Sequence, residues 1–406
     1  MNRLVVDYLG LEVGSLAEVN GTLLFEFNPA FLATGHELSP LALRAGPGIR
    51  SRDQPASARL PGVFEDSLPD QWGTLLMTEW FRRRDVPEHA VTPLMRLAFV
   101  GRRAMGALAY RPEESVEPTA EAFSLNALYT AASVAEEGGE IDLGLLAEVG
   151  TSAGGARPKA VLALPKSGGE RVLPGAGPIP EGFEGWIVKF DTTISGDQGP
   201  TEEAYAQMAR EAGIDMPETR LLETVHNGKV RRHFAVKRFD RVGPVPVHHI
   251  TLAGLLHSEA GALDYATLLR ATRKVTKDER QVWRAFRRAA FNVLADNRDD
   301  HGKNHGFLYQ GRQWGLGPAY DLTFGGRIAE RGMAVLGERR APGTTHLLRL
   351  AELELLDKHQ AAGVIDDVLR ATARWTEFAA NAGVSKARAS EVDAALRSLR
   401  SPSRKA

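Results

Sequence analysis

The chain has 406 residues, with 50 Lys+Arg against 51 Asp+Glu, no cysteine, and a formal net charge of −1. That length exceeds what one hydrophobic core usually serves, so two or more packed regions are expected. Near-neutrality removes the bulk electrostatic footprint of a dedicated nucleic-acid binder, and the missing thiols exclude disulfides, Cys-based metal sites and thiol catalysis.

The first residues are broken by Asp7 and Gly10 and lack the apolar stretch of a signal peptide. No run of about 18 apolar residues occurs anywhere. A cytoplasmic protein without membrane spans is expected. Residues 4–28 alternate apolar and polar side chains around Asn20-Gly21, a dipeptide suited to tight hairpin turns, which predicts a small antiparallel sheet. In LPGVFEDSLPDQWGTLLMTEWFRRR, Trp72, Leu75, Leu76 and Trp80 fall at helical spacing and read as the core face of a helix.

Residues 116–150 read as helical and acidic and lead into a glycine cluster, GTSAGGARPKA. Strand-like runs at 161–164 and 186–190 follow, separated by a Gly/Pro-rich loop. A helix is expected from Thr201, with Ala204, Met208 and Ala212 on one face. Residues 233–242 read as a strand. From Leu252 onward the pattern is mostly helical, interrupted at 297–322, and residues 401–406 form a short basic tail.

The interruption carries the densest chemistry. Asp299 and Asn304 have the Asp-x-x-x-x-Asn spacing of a kinase catalytic loop, where the Asp accepts a hydroxyl proton and the Asn holds Mg²⁺. A helix with Val282, Phe286, Ala290 and Val293 or Leu294 on one face precedes it, and a hairpin-like segment ending in Pro318-Ala319-Tyr320-Asp321-Leu322 follows. Asp321 then takes the place of a second metal-binding Asp. Asp300 reads equally well as a residue that caps a turn. His301 and His305 have the spacing of zinc ligands on a helix, but Gly302 between them and the lack of a zincin Glu argue against that use.

Upstream, the loop Gly150-Thr151-Ser152-Ala153-Gly154-Gly155-Ala156 precedes a strand, so its backbone N–H groups can approach phosphates. It is neither G-x-G-x-x-G nor a Walker A motif. Lys189 ends the apolar run Trp186-Ile187-Val188 in the manner of a phosphate-pairing lysine, with Glu202 or Glu203 on the next helix as its counter-charge. Residues 236–239 read as a hinge whose backbone can meet an adenine edge, with Asp240 placed to reach ribose or a lysine.

With these residues in hand, the chain resembles the HipA family of serine/threonine kinases, toxins of bacterial type II toxin–antitoxin pairs. The matching segments are GTSAGGARPKA, WIVKFDT, EEAYAQMAREAGI, AVKRFDR, NRDDHGKN and PAYDL, with LPGVFEDSLPDQWG resembling the family's N-terminal subdomain. The resemblance implies an α+β protein: a kinase-like bilobal core with a β-rich N-terminal subdomain (1–115), a small-lobe-like region (116–240) and a mostly helical lobe (241–406). It implies ATP and Mg²⁺ as cofactors. Asp299 is then the catalytic Asp, Asn304 and Asp321 the metal ligands, and Lys189 the ATP-phosphate lysine. Nucleotide contacts are expected from Ser152, Ala153, Gly154, Gly155, Ala156, Arg157, Lys159, Lys237, Arg238, Phe239, Asp240, His301 and Lys303. Ser152 matches the loop serine that family members autophosphorylate, with Thr151 as an alternative acceptor. The chain departs at Asp300 and Gly302, where the best-known members read Asp-Gly-His-Ala-Lys-Asn, and at Arg157-Pro158, which stiffens the loop.

The function expected is therefore a growth-inhibiting protein serine/threonine kinase. Its substrate would be a cytosolic protein such as an aminoacyl-tRNA synthetase, glutamyl-tRNA synthetase in particular. A small HipB-like helix-turn-helix antitoxin would inhibit it and supply the DNA contact. The alternatives are a small-molecule phosphotransferase and a non-catalytic kinase-like corepressor.

Overall fold

The computed structural model describes residues 1–52, 59–114, 122–150, 154–169 and 171–400. Thr151, Ser152 and Ala153 lie outside the described residues. Strands Arg3–Tyr8, Leu11–Val19 and Thr22–Phe27 form an antiparallel meander, flanked by Ile49–Arg50 at one edge and Leu108–Arg111 at the other. The second hairpin turns at Asn20-Gly21, both at positive φ, which glycine and asparagine adopt at least cost. Alternation places Leu4, Val6 and Tyr8 on the inner face.

Helix Gln71–Arg82 buries Trp72, Leu76 and Trp80, whereas Leu75, expected on that face, is 40% exposed. One residue short of Leu76, it is rotated about 100° away from the buried stripe.

A second, six-stranded sheet runs in the order Thr219–His226, Lys229–Lys237, Phe183–Lys189, Lys159–Pro165, Arg171–Pro174, Phe123–Ser124. The expected strand over 233–242 is split: it ends at Lys237, and beyond buried Asp240 the residues Arg241–Val242 pair with Val245–Pro246 in a separate two-stranded sheet. Helix Gln198–Glu211 packs on this sheet. It begins before Thr201, with Asp197 as its N-cap and Pro200 inside the first turn, where a missing N–H costs nothing. The Thr201 hydroxyl donates to Asp197 O at 2.5 Å.

The remainder is helical around the sheet His248–Thr251, Gly306–Gln310, Gln313–Leu316. Helix Glu279–Leu294 is its axis, with Val282, Phe286, Ala290, Val293 and Leu294 fully buried. Two cores meet at the cleft. The main core runs continuously from the N-terminal sheet into this helical lobe. The six-stranded sheet has its own core, to which Trp72 and Leu76 of the N-terminal region contribute. The segment carrying Asp70 and Trp72 therefore bridges both lobes. Among the described residues no helix is long and apolar enough to cross a membrane.

Candidate active site

The loop after helix Glu279–Leu294 is built rigidly before it presents any functional group. Asp296 turns the chain at positive φ (53°). The buried Arg331 guanidinium donates to the carbonyls of Asn292, Val293 and Asn297 and to Asp296 Oδ1. Asp300 is fully buried and accepts from the Tyr265 hydroxyl at 2.5 Å, so its role is to hold the loop. Burial pushes its carboxyl pKa up. Asp299 beside it is 60% exposed, with His301 Nε2 at 3.7 Å. Asn304 Nδ2 donates to Asp299 O at 2.6 Å, closing the turn between the two residues. The Tyr320 hydroxyl donates to Lys303 O at 2.6 Å and so ties this loop to the segment carrying Asp321.

On the facing sheet, antiparallel register places Lys159 opposite Lys189 on neighbouring strands. Lys189 Nζ donates to Glu202 Oε2 at 2.6 Å and to Asp321 Oδ1 across the cleft. Glu202, not Glu203, is thus the counter-charge, and its other oxygen meets Arg157 at 3.2 Å. Burial alone would lower the Lys189 pKa; Asp321 and Glu202 outweigh it and hold the ammonium above the usual lysine range. Burial would likewise raise Asp321, but Lys189 and Lys159 bring it to about 2. Burial lowers Lys159 to about 8; its ammonium donates to Gly154 O, where that of Lys189 donates to carboxylates.

Lys159, Lys189, Asp299, His301, Lys303, Asn304, Tyr320 and Asp321 border one cavity of about 650 Å³. Its lining includes a charged and polar set, Asp70, Lys159, Lys189, Asp299, His301, Lys303, Asn304 and Asp321, and an apolar and aromatic set, Ile187, Val236, Met105 and the rings of Phe239, His249 and Tyr320 at centroid separations of 5.6 to 6.2 Å. Burial lowers the His249 pKa to about 4, so this ring is neutral at physiological pH. A flat heterocycle attached to a polyanion matches such a lining.

The cavity gathers Gly154, Gly155, Ala156, Lys159, Lys189, Lys237, Arg238, Phe239, Asp240, Asp299, His301, Lys303, Asn304 and Asp321 on its walls. Several of them are occupied differently from the expectation. Arg157 is absent from the wall and turns to Glu202. Arg238 is buried, donating to Asp240 and to Gly175 O. Asp240 accepts from Arg238, Arg241 and the Gly106 N–H, which hold its carboxylate well below the usual range despite burial. The Lys237 ammonium sits between Glu184 and Glu218. Its N–H donates to Glu218 O and that of Arg238 to Gly185 O. Ser152 and Ala153 lie outside the described residues.

Sequence reasoning missed Asp70. This residue caps helix Gln71–Arg82 by position, yet its side chain makes no capping bond. Oδ1 lies 2.6 Å from Lys303 Nζ and Oδ2 accepts the Gly155 N–H at 2.8 Å. It also missed the indole N–H of Trp72, which donates to Lys159 O at 3.0 Å. Pro69-Asp70 before Gln71 reads only as a helix start, so nothing local signals the second use.

Two lobes closing on a cleft, an upper sheet with a lysine paired to a helix glutamate, and a lower loop with Asp299 and Asn304 define a kinase-like fold. Residues 151–376 match the family described as HipA-like C-terminal domain, and residues 4–111 match the family described as HipA N-terminal domain. The chain belongs to the HipA family. It superposes on HipA from the complex of Shewanella oneidensis MR-1 HipA, HipB and operator DNA with a TM-score of 0.70 at 17% identity, covering 98% of this chain and 95% of that one. It is also 29% identical over 170 residues to the protein named "Putative kinase Y4dM" of Sinorhizobium fredii (strain NBRC 101917 / NGR234). That match covers 39% of this chain and 40% of the relative's length.

Proposed function

We propose that the protein is an ATP-dependent protein serine/threonine kinase that acts as a growth-inhibiting toxin. The observation that carries this reading is the convergence of Lys189, held by Glu202, with Asp321, Asp299 and Asn304 around one cavity that is also lined by aromatic rings. In-line transfer asks for little covalent chemistry from the protein, chiefly positioning and electrostatic stabilisation. The acceptor hydroxyl oxygen bonds to the γ-phosphorus, the bond to the β–γ bridging oxygen breaks, ADP leaves, and Asp299 takes the hydroxyl proton. The exposure of Asp299 suits an acceptor that arrives from solvent.

Asp321 and the Asn304 amide offer hard oxygen donors that fit Mg²⁺. Among the described residues no three His, Asp or Glu side chains converge as a metal cage, so in this reading the phosphates share the ion with those two residues. When bound, the cation neutralises phosphate charge. Lys189 keeps Asp321 ionised and oriented for that role.

The substrate class favoured by the family resemblance is an aminoacyl-tRNA synthetase, glutamyl-tRNA synthetase first. The regulatory partner is a small helix-turn-helix antitoxin that carries the DNA contact, which suits a chain of net charge −1. Ser152 is the autophosphorylation site in this reading. Phosphoproteomics after expression of wild type beside Asp299→Ala tests the assignment: protein sites that rise only with the wild type support it. Phosphate on a metabolite and on no protein overturns it in favour of a small-molecule phosphotransferase. Toxicity untouched by Asp299→Ala and Asp321→Ala overturns it in favour of a corepressor.

A further inference from the structure

Gly154 and Gly155, in the described end of the Gly-rich loop, are held from two sides. Lys159 donates to Gly154 O from within the cleft. From the N-terminal region, the Trp72 N–H donates to Gly155 O at 3.3 Å and the Asp70 carboxylate accepts the Gly155 N–H at 2.8 Å. The second Asp70 oxygen holds the Lys303 ammonium at 2.6 Å, in the same loop as Asp299. A loop N–H and a cleft ammonium facing one anion from either side is the donor pair that a phosphate oxygen seeks. Here a carboxylate fills it. Glycine at 154 permits the approach, because a Cβ there would stand 2.8 Å from Asp70 Oδ2. The carboxylate is available because the helix it caps makes no use of it.

We propose that Asp70 is an internal competitor for the terminal phosphate: it occupies the Gly155 N–H and Lys303, and nucleotide binding must displace it. The inference rests on the nucleotide-site reading above. It makes the N-terminal region a restraint on the cleft, acting through one side chain at the junction of the two cores. The geometry of the ammonium agrees: Asp70 Oδ1 at 2.6 Å compensates a Lys303 charge that phosphate would otherwise compensate. Lys189 and Asp321 form a separate ion pair on the same cavity and need not move when Asp70 leaves.

Isothermal titration of the full chain with MgATP and with MgADP, comparing wild type, Asp70→Asn and Asp70→Ser, tests this. Serine preserves the helix start, so it guards against a variant that loses its fold. Removing the competing charge is expected to tighten ATP about tenfold while ADP changes less than about twofold, the size of one charge-assisted hydrogen-bond pair. ATP and ADP shifting equally, or ATP weakening, overturns the proposal and shows Asp70 to be an organiser of the site. Nucleotide binding by none of the three proteins overturns the nucleotide-site reading itself, and the proposal with it.

Discussion

Lys189 of the upper sheet and Asp321 of the lower lobe form an ion pair across the cleft, and Glu202 Oε2 completes the lysine's shell at 2.6 Å. The pair joins elements far apart in sequence. It also fixes the charge state of both partners, each held ionised against the cost of burial. Under the proposed function, a lysine held this way would be positioned for phosphate before any ligand arrives.

Replacing Lys189 with methionine should therefore cost both activity and stability. Glu202, 5% exposed, would keep only Arg157, and Asp321 would lose its nearest cation. Breaking a buried pair by removing one partner typically costs about 3 kcal/mol or more. Urea denaturation should show that loss, and adding Glu202→Gln to Lys189→Met should recover part of it, because the two residues are coupled. Strict additivity in the double variant would contradict this account.

Adjacent carboxylates should separate chemistry from folding. Asp299→Ala removes an exposed side chain and is expected to shift stability by no more than about 0.5 kcal/mol while lowering phosphoryl transfer on the order of a hundredfold or more. Asp300→Ala removes the buried acceptor of the Tyr265 hydroxyl and of the Met333 N–H and should cost about 2 to 3 kcal/mol. Thermal melts and a phosphate-transfer assay on both proteins check the contrast; equal melting temperatures would refute it.

Trp72 offers a graded test of how the N-terminal region holds the upper sheet. It is 2% exposed in that sheet's core and its indole donates to Lys159 O. Trp72→Phe keeps most of the packing and loses the hydrogen bond, an expected cost of about 1 kcal/mol. Trp72→Ala also leaves a cavity, about 3 to 5 kcal/mol. Denaturant midpoints for the two variants should rank in that order.

What was legible in the sequence was whatever lies in short ordered motifs. Lys189, Asp299, Asn304 and Asp321 stand in local patterns, and each reaches the same cavity wall. The hydrogen-bond partners of Asp240 were not legible, because they include the Gly106 N–H from a distant segment, which no local pattern announces. Asp70 was invisible for a related reason: before Gln71 an aspartate reads as a helix cap, and its use by Gly155 and Lys303 exists only after the chain has folded. Leu75 shows the limit of periodicity, since apolar neighbours one residue apart cannot both face a narrow stripe. The helix start was misplaced by three residues because Pro200 marks a first turn as readily as the residue before it.

The last prediction concerns pH. Asp66 borders the cavity, and burial raises its carboxyl pKa to about 6 from an ordinary 3.8, against the lowering effect of hydrogen bonds from the Thr251 N–H and hydroxyl. Below both values the group is neutral in the folded and unfolded chain alike, and it costs nothing. As pH rises from near 3.8 to about 6 the unfolded chain ionises first, so the folded state binds more protons and loses stability across that window. Above about 6 the penalty is complete, on the order of 1 to 3 kcal/mol. Asp66→Asn keeps an acceptor for Thr251 and cannot ionise, so it should raise the melting temperature at pH 7.5 and lose that advantage at pH 4. Melting curves of both proteins at the two pH values check this, and a variant less stable than wild type at pH 7.5 would show that Thr251 needs the charge.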